Sequence, residues 1–257
     1  MKKWVFILFT LTFCGSCHRR NTVSSTNSNI FVRLQEEFKG STTNLKLFLF
    51  TEEKFGCSNY SLLSSGRVIG NTISITVSGI SKGELCLTSI GPATSEINLG
   101  ALENKTYLIE ITHQGKMYSG SLKVSEDAYL LTFNKTKPFI GDNPVLKRIP
   151  PSTIWGYVGY HKASTANTVK GFVDSVIYFG GQNRSYPEGN YYEFYVDGGG
   201  QPIVPANTGY YFYRPVLMHY SGDLIQLQKL IRRYGLTYRD SLNIGIYTRT
   251  GEFYYSW

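Results

Sequence analysis

Apolar and polar residues alternate with a period of two through much of the first half of the chain. Leu45, Leu47 and Leu49 alternate with Lys46, Phe48 and Phe50. Ile73, Ile75 and Val77 alternate with Thr72, Ser74 and Thr76, and Tyr107, Ile109 and Ile111 with Thr106, Leu108, Glu110 and Thr112. Successive side chains of a strand point to opposite faces, so each set predicts a strand with one face inward. His113-Gln114-Gly115-Lys116 reads as the turn of a hairpin into Met117–Val124, and Ala128–Phe133 follows. About seven or eight such strands over residues 30–136 predict an all-β sandwich.

The pattern changes after residue 152. Val169, Phe172, Val173, Val176 and Ile177 recur at i, i+3, i+4, i+7 and i+8, one face of a helix that Gly180-Gly181 can stop. Gly171 and the β-branched residues weaken that helix, and a strand through Ser175–Phe179 is its rival. A second helix is read from Ser221 as its cap, Asp223 in its first turn, a stripe of Leu224, Leu227, Ile231 and Tyr234, and Gly235 as its end. Arg232 and Arg233 sit near the negative end of its dipole. LNIGIYT, a turn at Arg249-Thr250-Gly251, and EFYYSW close the chain as a hairpin. The second half is thus expected to be an α+β domain with an antiparallel sheet.

Composition divides the chain at the same place. Residues 30–136 carry 10 Lys+Arg and 10 Asp+Glu, whereas residues 137–257 carry 12 and 8. Tyrosine divides more sharply, 4 against 16. Between the halves, residues 137–152 hold four prolines and read as a linker or a packed crossover. The formal charge of the whole chain is +8, but no basic run exceeds two residues and no nucleic-acid motif is present. Nucleic acid is therefore not expected as a partner, and the basic balance favours anionic lipid or glycan.

The N-terminus supplies an address. Lys2 and Lys3 precede the run Trp4–Phe13, which is apolar apart from Thr10 and Thr12. The run is too short to span a bilayer core of ~30 Å and reads as a secretory signal. Gly15 and Ser16 directly before Cys17 resemble the lipobox of bacterial lipoproteins, with Cys14 where the family usually has an aliphatic residue. The resemblance implies a signal peptide over 1–16 and a lipidated Cys17 as membrane anchor. His18–Asn29, HRRNTVSSTNSN, cannot bury enough apolar surface to order itself and reads as a tether over 17–29. By the same resemblance, the basic residues after Cys17 place the protein on the periplasmic face of an outer membrane. Cleavage after Ser16 by an ordinary signal peptidase, giving a secreted protein, is the alternative.

Residues 98–112, NLGALENKTYLIEIT, resemble the late strands of immunoglobulin-like or fibronectin-like bacterial modules, which implies an immunoglobulin-like sandwich. Cys57 and Cys86 are the cysteines left once Cys14 is removed and Cys17 lipidated. Two thiols in an oxidising envelope favour a disulfide, and closing that loop is worth about 3–4 kcal/mol. Two separate buried thiols are the other reading.

Of the catalytic motifs with a strong sequence signature, HExxH and a phosphate-cradling glycine loop are absent. His18, His113, His161 and His219 lack metal-ligand spacing, Asp197-Gly198-Gly199-Gly200 reads as a turn, and no metal or cofactor is expected. The tyrosine-rich segments carry more. Alternation through 191–197 puts Tyr191, Glu193, Tyr195 and Asp197 on one face, opposite Tyr192, Phe194 and Val196. Tyr211 and Tyr213 repeat the arrangement, and Phe253, Tyr255 and Trp257 oppose Tyr254. Flat rings interleaved with carboxylates suit sugar faces and protein surfaces alike, and cross-strand aromatic pairs also stabilise sheets without binding anything. Glu193 and Asp197 would lie about 13 Å apart along a strand, wider than the ~5–9.5 Å of paired glycosidase carboxylates. The expectation is a non-enzymatic envelope module that binds a glycan or another envelope protein. The alternatives are a hydrolase using Asp174, Glu193, His219 or Asp223, and a protein inhibitor or immunity-like partner.

Overall fold

The computed structural model describes residues 23–25, 27–83, 89–135, 137–205 and 209–256. The signal, Cys17, most of the tether, Cys86 and Trp257 lie outside the described residues. The first half is all strand: β1 (Val23–Ser24), β2 (Ile30–Lys39), β3 (Thr42–Phe55), β4 (Tyr60–Ile69), β5 (Thr72–Lys82), β6 (Gly91–Gly100), β7 (Thr106–His113), β8 (Lys116–Val124), β9 (Ala128–Phe133), β10 (Phe139–Gly141) and β11 (Val145–Lys147). They form one hydrogen-bonded sheet in the order β10-β2-β3-β6-β4-β5-β7-β8-β9-β11, with β1 on β5. The sheet is mixed: β5 runs parallel to β7, and β10 parallel to β2.

The alternation explains its core. Leu45, Leu47, Leu49, Ile73, Ile75, Val77, Tyr107, Ile109 and Ile111 are all at most 2% exposed and pack in one cluster, so the sheet curls over its own inner face. The proline-rich stretch is a packed crossover rather than a free spacer. Its β10 extends the β2 edge, its β11 extends the β9 edge, and backbone bonds such as Leu131 N–H to Pro144 O fix it there.

The second half comprises β12 (Thr153–Tyr160), α1 (Ala166–Tyr178), β13 (Gly181–Gln182), β14 (Gly189–Asn190), β15 (Tyr195–Val196), β16 (Pro202–Ile203), β17 (Phe212–Tyr220), α2 (Leu224–Thr237), β18 (Leu242–Thr248) and β19 (Phe253–Tyr255). An antiparallel sheet runs β13-β17-β12-β18-β19, and β14-β15-β16 form a small separate one. Both helices pack on one face of the five-stranded sheet. Val169, Phe172, Val173 and Val176 of α1 and Leu227, Leu230 and Ile231 of α2 meet Ile154, Val158, Val216, Ile244 and Ile246. Ile177, expected on the buried stripe, is 39% exposed. No described helix is long and apolar enough to cross a membrane.

Two details of α2 correct the sequence reading. Its cap is Asp223, whose carboxylate accepts from Ile225 N–H at 2.9 Å, not Ser221. Gly235 lies inside the helix, which continues to Thr237, and serves a contact instead of a stop. A Cβ there would lie 2.1 Å from Ser256 O. In an open helix Gly→Ala gains up to about 1 kcal/mol. Here Gly235→Ala is expected to destabilise by about 1–3 kcal/mol, because the last strand must move away. Urea unfolding of the variant checks the sign.

Candidate functional site

The face of the five-stranded sheet away from the helices is aromatic. The period of two puts Trp155 and Tyr157 of β12, Tyr213 of β17, Tyr247 of β18 and Phe253 and Tyr255 of β19 on that side. Trp155 and Tyr247 are cross-strand neighbours, and their rings stack at 6.0 Å and 12°. Tyr247 stacks on Phe253 at 4.3 Å, and Phe253 meets Tyr255 at 5.8 Å. The run climbs from Trp155, 2% exposed, to Phe253 and Tyr255, 46% and 37% exposed. Tyr157 lies over Gly245, where a Cβ would be 3.0 Å from its ring.

The small sheet covers the buried end of this run. Tyr191, Phe194, Val196 and Val204 pack with Trp155, and Phe38 of β2 closes on the other side with its ring 5.9 Å from Trp155. Between the small sheet and the curled sheet a cleft of about 310 Å³ remains, lined by Glu37 and Phe38 of β2, Lys46 of β3, Glu96 of β6, and Trp155, Tyr192, Glu193, Tyr247 and Glu252.

The hairpin that forms this wall explains where the expected residues go. Asn190 pairs with Tyr195, Tyr191 N–H bonds Phe194 O at 2.9 Å, and Tyr192-Glu193 form the tip. Tyr192 takes a left-handed φ of 69°, uncommon for a residue with a bulky side chain. Its N–H is held by Asn190 Oδ1 at 2.9 Å. Cross-strand partners share a face, so counting by twos through the tip misassigns it. Tyr191, expected exposed, is 2% exposed and stacks on Phe194 at 4.7 Å. Tyr192, expected in the core, is 38% exposed and enters the cleft wall together with Glu193.

The other candidates scatter. Tyr195 is 40% exposed and reaches Glu188 at 3.5 Å. Asp197 builds a turn, its Oδ1 accepting from Gly199 and Gln201 N–H. Tyr211 is 86% exposed beside His161, and Tyr213 is 46% exposed on the aromatic face. The four hydrolase candidates are not drawn together. Asp174 pairs with Lys170 at 2.7 Å, Asp223 caps α2, and His219 lies within the five-stranded sheet between Thr153 and Gln182. No described cluster of His, Cys, Asp and Glu could hold a metal ion.

Among the described residues, every carboxylate that lines the cleft except one has an ionic or hydrogen-bonding partner. Lys46 Nζ lies 2.7 Å from Glu37 Oε1 and 3.5 Å from Glu96. The bond to Lys46 holds the Glu37 carboxyl below the ordinary carboxylate range. The Thr248 and Thr250 hydroxyls do the same for Glu252. Glu193 has no cation beside it among the described residues, and burial alone pushes its carboxyl up. A carboxyl raised in the folded state contributes stability below its ordinary value of 4.5, lost as pH rises through the folded value. Glu193→Gln is therefore expected to be more stable than wild type at neutral pH and equal to it below about pH 4. Denaturation midpoints at the two pH values measure the difference.

Trp155, Tyr192, Tyr247, Glu37 and Lys46 were not singled out by sequence. Trp155 and Tyr247 each carry the alternation of their own strand, but only the β12–β18 register makes them neighbours. No protein-family model, curated protein or solved structure matches the chain.

Proposed function

We propose that the protein is a lipid-anchored envelope module that binds a glycan along the aromatic face, without catalysing a reaction. The observation that carries this is the ring run Trp155–Tyr247–Phe253–Tyr255, which leads from a carboxylate-lined cleft onto an exposed surface. Sugar rings present apolar faces to aromatic side chains and hydroxyls to carboxylates, and both partners occur here side by side. In this reading the chain has two domains. The first, an immunoglobulin-like sandwich in the broad sense of strands curled over one core, stands the second off from a bilayer holding lipidated Cys17, on the periplasmic face of the outer membrane.

A Cys57–Cys86 disulfide belongs to the same proposal. Cys57 is 6% exposed. A Cβ on Gly83 would lie 2.2 Å from Asn59 Nδ2, and one on Gly91 would lie 3.2 Å from Ser58 Cα. The described residues that flank the segment containing Cys86 thus abut the loop that carries Cys57.

Co-sedimentation with purified peptidoglycan and glycan-array binding test the function. Losing two stacking rings worth about 0.5–1.5 kcal/mol each weakens binding about tenfold in a Phe253→Ala/Tyr255→Ala variant. Both residues are partly exposed, so the fold should survive. Undiminished binding by the folded variant removes the proposed face.

A further inference from the structure

We propose that the cleft at the end of the aromatic run takes the free amino group of an amino sugar, seated between Glu193 and the rings of Tyr192 and Tyr247. This rests on the glycan reading and narrows its ligand class. The cleft is acidic in a basic chain: five carboxylates, those of Glu36, Glu37, Glu96, Glu193 and Glu252, face one lysine, whereas the whole chain carries +8. Four of the five are already engaged. Glu37 and Glu96 hold Lys46, Glu252 accepts from two threonine hydroxyls, and Glu36 accepts from Ile149 N–H and Tyr129. Glu193 is left, and its charge acts on both flanking tyrosines, Tyr192 and Tyr247.

A half-buried carboxylate without a cation is a cost to the free protein that an arriving ammonium removes. Ring faces beside it add cation–π attraction, which a neutral acetamido group cannot draw on. A second, independent feature asks for a sugar rather than a bare cation. Trp155 lines the cleft, is 2% exposed, and its indole N–H has no acceptor among the described residues. A sugar hydroxyl supplies an acceptor, while a metal ion or a quaternary ammonium supplies none. The left-handed Tyr192 fits the same purpose, since unusual backbone concentrates at binding sites and here it sets ring and carboxylate together at the hairpin tip.

The test is titration calorimetry of the intact protein at about 0.15 M salt with a glucosamine trimer and its fully N-acetylated counterpart. Wild type is expected to bind the free amine about tenfold more tightly. Glu193→Gln should bring the two ligands within about twofold, while Glu103→Gln on the remote exposed surface leaves the preference intact. Tyr192→Ser, which keeps the carboxylate and removes the ring, should also shrink the preference. Equal binding of both trimers by wild type, or an unchanged preference in Glu193→Gln, overturns the amine inference while leaving a glycan site standing. Binding of neither trimer by the folded wild type overturns both readings.

Discussion

Glu36→Ala is expected to lose about 3–5 kcal/mol, the largest effect of any single polar substitution in the chain. Glu36 sits where the two halves meet, and its side chain is 1% exposed. Its carboxylate accepts from Ile149 N–H and Tyr129 OH, both at 3.1 Å, with Arg148 Nε at 3.7 Å. Arg249 completes the cluster, donating to Ile149 O at 2.9 Å and lying 4.3 Å over the Phe38 ring. Burial raises the Glu36 carboxyl despite these partners and lowers the Arg249 guanidinium. The cost of burying the Glu36 carboxylate is offset by the bonds from Ile149 and Tyr129 and by the nearby arginines, and removing it strands their charges. Glu36→Gln keeps acceptors for Ile149 and Tyr129 and should fall between wild type and Ala. Guanidinium unfolding of the three proteins provides the ranking, and an Ala variant as stable as wild type contradicts the cluster's role.

Phe194→Ala should cost a similar amount by a different route, about 3–5 kcal/mol for a buried ring whose space the neighbours only partly refill. Phe194 is 1% exposed and touches Tyr191 at 4.7 Å, Trp155 at 6.0 Å and Tyr186 at 6.5 Å. With Tyr191, Val196 and Val204 it packs the small sheet onto Trp155 of the five-stranded sheet. Its loss should loosen the hairpin tip and with it Glu193, so ligand binding falls as well as stability. Tyr191→Phe is the control: it removes only the 2.9 Å bond to Pro187 O and is expected to cost about 1 kcal/mol. Thermal melts monitored by near-ultraviolet circular dichroism, which reports the clustered rings, separate the two.

Sequence pattern reached the elements better than the site, for a physical reason. Alternation reports which side of its own strand a residue takes, and it placed Leu45, Ile75 and Ile109 correctly in the core. It does not report partners, so the parallel β5–β7 and β10–β2 pairings had no sequence signal. The same limit hid the cleft. Glu37 and Lys46 come from the first half and Trp155 and Tyr247 from the second, and only tertiary register joins them. The aromatic face itself was legible in part: Tyr213, Phe253 and Tyr255 lie where alternation put them. Within 191–197 the parity broke at Tyr192, and Glu193 reached the site through a turn rather than along a strand.

Aromatic-region NMR of the protein titrated with the glucosamine trimer tests the account most directly. It predicts shifts concentrated at Trp155, Tyr192, Tyr247 and Phe253, with exposed rings of the helical face such as Tyr178 unmoved. Shifts at Tyr178 with the cleft rings silent, or no shifts at saturating ligand, would contradict it.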